Sequence, residues 1–177
     1  MNDDSLILSL LDEGQYEKAF SKMVEAFSEK LYWHVRSIVL DHDDADDVVQ
    51  ETFLKAWKAL PAFRADSGIY TWLYRIATNE ALSFLRRKKE NVSLDGESGV
   101  YTLAGSDGVD GKKAVTLLER AIGTLPSRQR AVFSLRHFDE MTYECMAAVL
   151  GASVGALKAS YHFAEEKVKR FIISHSD

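Results

Sequence analysis

The residues best equipped to engage a partner sit together in "YTWLYRIATNEALSFLRRKK", residues 70–89. Tyr70, Trp72 and Tyr74 offer flat faces on which an unpaired base can stack, worth roughly 1–3 kcal/mol per base. Asn79 carries both a donor and an acceptor, as reading a base edge requires. A base read that way must leave its stack, which costs about a few kcal/mol. Arg64, Arg75 and the run Arg86–Lys89 can neutralise phosphates, each contact making binding salt-sensitive. The same residues also fit a plain amphipathic helix, with Trp72, Leu73 and Ile76 in a core and the cations complementing a helix C-terminus. Periodicity leaves both readings open.

A second candidate precedes it in "DHDDADDVVQETFLKAWKAL", residues 41–60. Asp43 or Asp44 can cap a helix whose early carboxylates suit its positive dipole end. Val49, Phe53, Trp57 and Leu60 recur at steps of four, four and three and make one apolar stripe. With that stripe inward, Asp47, Gln50, Glu51, Leu54 and Lys58 face outward. An exposed leucine among polar groups is the composition of a small protein–protein contact, or of a solvated face with one stray leucine.

The third candidate lies near the C-terminus. "MTYECMAAVLGASVGALKASYHFAEEKVKRFI" reads as helix, tight turn, helix, with Thr142 capping the first, Gly151 at the turn and Ser153 capping the second. Leu157, Tyr161, Ala164 and Val168 form the inward seam of the second helix. Lys158, Ala159, His162 and Glu165 point outward, where a recognition helix meets the major groove. Only Lys158 among them is a permanent cation; Arg128, Arg130 and Arg136 upstream can hold phosphates.

The remaining chemistry-bearing residues exclude more than they suggest. The five histidines do not fall at metal-ligand spacing, and there is no Gly-rich phosphate loop, paired carboxylates in an apolar setting, or nucleophile with its base. No catalytic role, metal or cofactor is expected. The single cysteine, Cys145, has no disulfide partner and reads as a small packed hydrophobe in a reducing compartment. The opening "MNDDSLILSLLDEG" lacks the cationic lead of a secretion signal, and no apolar run reaches membrane-spanning length. A cytoplasmic location is expected.

Helices must position these groups. The 177 residues contain two prolines and are 46% hydrophobic and 28% charged, which favours an all-α globular protein. Residues 91–111, "NVSLDGESGVYTLAGSDGVDG", hold five of the ten glycines and read as a flexible linker between two small helical domains, 1–90 and 112–177. The net charge of −5 is unevenly spread. Residues 1–62 carry 13 acidic against 6 basic side chains, whereas residues 63–90 carry 6 basic against 3 acidic. Non-specific attraction to nucleic acid is therefore weak, and the positive segments are local.

In order and spacing, "DADDVVQETFLKAWKALPAFRADSGIYTWLYRIATNEALSFLRRKK", the glycine-rich gap, and "LPSRQRAVFSLRHFDEMTYECMAAVLGASVGALKASYHFAEEKVK" resemble a bacterial extracytoplasmic-function (ECF) sigma factor. The resemblance covers nearly the whole chain. It implies a sigma region 2 bundle at 1–90 and a sigma region 4 helix-turn-helix at 112–177. It further implies a non-enzymatic subunit that joins core RNA polymerase and directs it to promoter DNA. On that resemblance Asp47, Gln50, Glu51 and Leu54 hold the polymerase β′ clamp helices, and region 4 meets the β flap. Phe63 and Asn79 line the pocket for an unpaired −10 base; Tyr70, Trp72 and Arg75 support the loop or melted strand, and Arg64 with Lys88 meets its backbone. Arg128, Arg130, Ser153, Lys158, Ala159 and His162 bind the −35 duplex. An anti-sigma partner is also implied, one that can hold the chain at the inner membrane.

One departure weakens the −35 expectation. Many family members continue the last helix with an arginine-rich segment such as "SRLHRAR", whereas this chain has "ASYHFAE" at Ala159–Glu165. Two other functions compete with the sigma reading: a dimeric regulator using the helix-turn-helix alone, and a helical adaptor that touches no nucleic acid. A nucleic-acid-processing enzyme ranks last for want of chemistry.

Overall fold

The computed structural model of the chain describes residues 2–95 and 110–176. Among these residues are eight α-helices, one 3-10 turn at Leu60–Ala62, and no strand. The helices are α1 (Asp3–Asp12), α2 (Tyr16–Val39), α3 (His42–Ala59), α4 (Ile69–Asp95), α5 (Asp110–Gly123), α6 (Ser127–His137), α7 (Tyr143–Leu150) and α8 (Val154–His175). Most of the stretch read as a linker, 96–109, lies outside the described residues. Its two ends are helical, because α4 runs through Asp95 and α5 begins at Asp110.

Local chemistry explains the breaks. Gly14, at φ 73°, takes the left-handed conformation that separates α1 from α2. At the end of α2 that role falls to Leu40, at φ 71°, whose N–H donates to Arg36 O. The cap of α3 is Asp41, not Asp43 or Asp44. Its backbone is extended (φ −115°, ψ 139°), and its carboxylate accepts from Asp44 N at 3.0 Å. Pro126 is the N-cap of α6 and not its first helical residue. Ahead of α4 the first helical bond runs from Trp72 N to Gly68 O at 3.0 Å. Thr142, Gly151 and Ser153 hold the expected places around α7 and α8. Thr142 accepts from Cys145 N, Gly151 sits at φ 64°, and Ser153 accepts from Ala156 N.

The inner face of α3 is rotated from the expected stripe. Ala45, Val48, Thr52 and Ala56 are its innermost residues, whereas Trp57 is 40% exposed. Small side chains at the first positions let α3 lie close against α2 and α4, and that approach turns the indole outward.

The two halves of the chain do not stand apart. Buried residues of α1–α4 form one continuous core with Ala131, Val132 and Leu135 of α6 and Met146, Val149 and Leu150 of α7. A second cluster, built on Ile122, Leu125, Phe133 and Val168, joins α5, α6 and α8. The seam between the halves sets α2 against α6 and α4 against α7.

Candidate nucleic-acid and protein interfaces

On α3 the four expected docking residues share one exposed face. Asp47, Gln50 and Glu51 reach solvent and Leu54 is 53% exposed. Beside them runs an apolar groove between α2 and α3, lined by Phe20, Val24, Val49, Phe53, Leu54 and Trp57. Trp57 packs edge-on against Phe20 at 5.1 Å. Sequence periodicity assigned Trp57 to the core. The structure places it on the exposed side of α3, in the groove beside Leu54.

The residues expected at melted DNA divide into two groups. Phe63, in the loop after α3, packs on Trp72 with ring centroids 5.0 Å apart. Trp72, Arg75 and Asn79 follow at i, i+3 and i+7, hence on one face of α4. Asn79 and Arg64 are exposed, and Trp72 and Phe63 are half-buried. Tyr70 belongs to the opposite side of α4, packed on Tyr74 at 4.4 Å and near Phe27 at 6.3 Å. Burial, followed by the nearby Asp139 carboxylate, pushes its hydroxyl pKa upward. Among the cations at the end of α4, Arg87 lies 3.6 Å from buried Glu80, which also binds Lys55, and Lys88 pairs with Asp44 at 2.5 Å.

The expected −35 residues are likewise sorted. Lys158, Ala159 and His162 are exposed along the outward face of α8, and Phe163, 59% exposed, stands next to His162. Ser153 is the helix cap, so its hydroxyl already accepts a backbone N–H. Arg128 donates to Leu150 O at 3.1 Å and braces the end of α7. Arg130 is 9% exposed and donates to Ile38 O and Leu125 O, both at 2.9 Å. Its guanidinium is built into the seam and is not presented to duplex DNA in this arrangement.

The seam holds polar residues that sequence reading passed over. His34 Nδ1 lies 3.2 Å from Asp139 Oδ2, and its Nε2 is 2.7 Å from Thr78 Oγ1. Tyr74 donates to Asp139 Oδ1 at 3.1 Å. Burial first, then the Asp139 charge, raises the Tyr74 pKa so far that the phenol remains a donor at any ordinary pH. Ser37 Oγ sits 2.6 Å from Ser134 Oγ, and Arg75 Nε donates to Ala148 O at 2.9 Å. The facing atoms His34 Nδ1 and Asp139 Oδ2 are both buried, 3.2 Å apart. One signal was available: His34 falls in register with Phe27, Leu31 and Ile38, a polar residue at a core position.

Among the described residues no cluster of three His, Cys, Asp or Glu is placed to hold a metal ion. No described helix is long and apolar enough to cross a membrane.

Two helical halves, an acidic exposed helix, an aromatic–amide face and a helix-turn-helix make up the arrangement that the resemblance to sigma factors implies. Comparison with known proteins agrees. Residues 23–91 match the family model for sigma-70 region 2, and residues 116–168 match that for sigma-70, region 4. The ECF RNA polymerase sigma factor SigW of Bacillus subtilis is 30% identical over 166 residues, 87% of this chain and 89% of that one. The ECF RNA polymerase sigma-E factor of Escherichia coli K12 is 32% identical, covering 93% of this chain and 92% of its own. Among solved structures, the sigma factor RpoE in complex with the anti-sigma factor NepR from Bartonella quintana aligns with TM-score 0.78 at 25% identity. That alignment covers 89% of this chain and 99% of that one. CnrH in complex with the cytosolic domain of CnrY aligns with TM-score 0.71 at 26% identity, over 98% and 99%. The chain belongs to the ECF sigma factors of RNA polymerase, and its function is to direct transcription initiation.

Proposed function

We propose that residues 1–90 dock on core polymerase and open the −10 element, and that residues 112–177 bind the −35 element as duplex, with 91–111 tethering the two. The exposed α3 face is the polymerase contact: Leu54 and Trp57 supply apolar area, and Asp47, Gln50 and Glu51 form its polar rim. Phe63, from the loop after α3, and Trp72 on α4 form the aromatic wall of a pocket for one flipped base, and Asn79 reads its edge. Arg64 holds the strand's backbone. Lys88 joins it by exchanging Asp44 for a phosphate, and Arg75 through the guanidinium N–H groups not used by its Nε bond to Ala148 O. Tyr70 acts behind this surface by supporting α4.

On α8, Lys158, Ala159 and His162 face the major groove. With one permanent cation among them, −35 affinity is modest, and polymerase supplies the rest through two-point attachment. The observation that carries this reading is the Phe63–Trp72 ring pair, 5.0 Å apart, on the same helix face as exposed Asn79.

An anti-sigma partner is part of the proposal, and a membrane-bound one would hold the chain at the inner membrane. Two structural neighbours are bound to such proteins. Here Trp33, Val115 and Phe138, exposed by 61%, 59% and 50%, rim a cavity of about 390 Å³ between α2 and α5–α6. That rim suits the apolar face of an amphipathic helix.

The test is run-off transcription with purified core polymerase on a fragmented genomic library. Promoter-dependent initiation in the absence of any other sigma subunit is the expected outcome. Initiation only when a second sigma factor is supplied would establish the dimeric-regulator reading instead.

A further inference from the structure

The polymerase face and the base-reading amide lie on different helices, so the way α4 sits on α3 decides where each meets its partner. Glu80, next in sequence to Asn79, is a carboxylate only 5% exposed in that helix pair. One of its oxygens accepts from Lys55 Nζ of α3, and the other lies 3.6 Å from Arg87 Nη2, two turns further along α4. A second pair, Asp44 with Lys88 at 2.5 Å, joins the same two helices near the start of α3.

Burying a carboxylate costs more than burying an apolar side chain of similar volume, and the best-attested return is a fixed register between elements. The surroundings of Glu80 call for such a device. Thr52 and Ala56 flank Lys55, and Ala77 and Ala81 flank Glu80, all four fully buried. Short side chains let two helices approach closely, but their shallow ridges and grooves resist sliding poorly. A slip of α4 by one helical turn would carry Asn79 about 5.4 Å along α3, farther than a hydrogen bond to a base edge tolerates. Asp44 does not guard against this in the promoter complex, because Lys88 gives it up on taking a phosphate. Lys55 has no part in holding the strand, so its bond to Glu80 persists.

We infer that Glu80 is a positioning residue for promoter opening: by binding Lys55 of α3 and Arg87 of its own helix, its buried carboxylate fixes the register of α4 on α3. Asn79 is thereby held at one place relative to the helix that docks on polymerase. The inference rests on the roles proposed above for α3 and α4.

The test uses the full chain. Lys55→Met with Glu80→Met replaces the pair by apolar side chains of similar length, which should leave the melting temperature at or above that of wild type. Core-polymerase affinity and −35 duplex binding should not change. Promoter opening, followed by permanganate, should slow by roughly 5- to 150-fold, the range set by lost base readout. Because the effect runs through Asn79, adding Asn79→Ala to the double variant should cost little more. A double variant that opens promoters as wild type does, or whose loss multiplies with that of Asn79→Ala, overturns the inference. So does one that melts well below wild type, which would make the pair a matter of stability.

Register is read directly, without polymerase or DNA. Spin labels on Lys58→Cys and Arg86→Cys, two exposed positions on α3 and α4, in a Cys145→Ala background, should give one narrow distance distribution. Adding Lys55→Met and Glu80→Met should create a second population displaced by about 5 Å, one helical turn. An unchanged distribution overturns the register role even where opening is slow. Failure of the wild-type chain to initiate at any promoter would instead refute the sigma reading, on which the label distances do not depend.

Discussion

Lys88 Nζ lies 2.5 Å from Asp44 Oδ2, which ties the cationic end of α4 to the first turn of α3. A phosphate reaching Lys88 must displace a carboxylate that also sits at the positive end of the α3 dipole. Asp44→Asn should therefore strengthen binding of a single-stranded −10 fragment and steepen its salt dependence by about 0.7 in the log–log slope, one added phosphate contact. Lys88→Ala should not steepen it. Titration at several salt concentrations checks this, and identical slopes for all three proteins would leave Lys88 as a brace alone.

Asn79 is exposed, so Asn79→Ala should fold normally. It should slow open-complex formation by roughly 5- to 150-fold, the range expected when about 1–3 kcal/mol of base readout is lost. Binding to a duplex −35 fragment should not change. Permanganate footprinting beside a duplex mobility-shift assay measures the two together, and equal losses would remove Asn79 from the pocket.

Leu54 and Trp57 form the apolar part of the α3 face. Leu54→Ala and Trp57→Ala should each weaken core-polymerase binding by about 1–2 kcal/mol, with the aromatic truncation the larger. Leu54→Ala should leave the melting temperature within a degree or two, since the side chain is 53% exposed. Competition against a labelled sigma subunit gives the affinities.

Phe163 stands exposed beside His162 on α8, and among the outward residues Lys158, Ala159, His162 and Glu165 only Lys158 is a permanent cation. Phe163→Arg should tighten −35 duplex binding and steepen its salt slope by about 0.9. A slope that does not move would show that this side of the helix faces away from the DNA backbone.

Asp41 caps α3, and its carboxyl pKa is held below the ordinary value by the Asp44 N–H bond, with burial partly opposing and Lys88 adding a favourable charge. A carboxyl depressed in the folded state adds stability above its unfolded pKa, and that stability fades as pH falls through the folded pKa. Asp41→Ala should cost about 1 kcal/mol at neutral pH. The difference from wild type should shrink below about pH 4, as thermal melts across pH 3–7 would record.

The helices and the helix-turn-helix were legible because their signals are local. Thr142, Gly151 and Ser153 lie within a few residues of the turns they make, and Asp47, Gln50, Glu51 and Leu54 repeat at helical spacing. The choice among carboxylates in "DHDD" was not legible, because only the backbone angles at Asp41 select the cap. Trp57 was misplaced because the small residues Ala45 and Ala56, and not the large ones, decide which face of α3 can approach its neighbours. The pairings across the seam were beyond reach, although His34 marked a polar core position: Ser37 meets Ser134 across 97 positions, and nothing near either residue marks the other. Arg130 looked like a phosphate ligand from its neighbourhood, and only the fold shows it reading Ile38 O.

Each half of the molecule extends one arginine to the other and offers one peptide carbonyl in return, Arg130 to Ile38 and Arg75 to Ala148. Main-chain oxygens are present whatever amino acid is encoded there, so mutation at Ile38 or Ala148 leaves the acceptor in place. Hybrid chains that pair one half with a counterpart from a distant cousin should therefore inherit at least one of the two handshakes, and the means of staying shut can outlast extensive divergence of the surfaces around it.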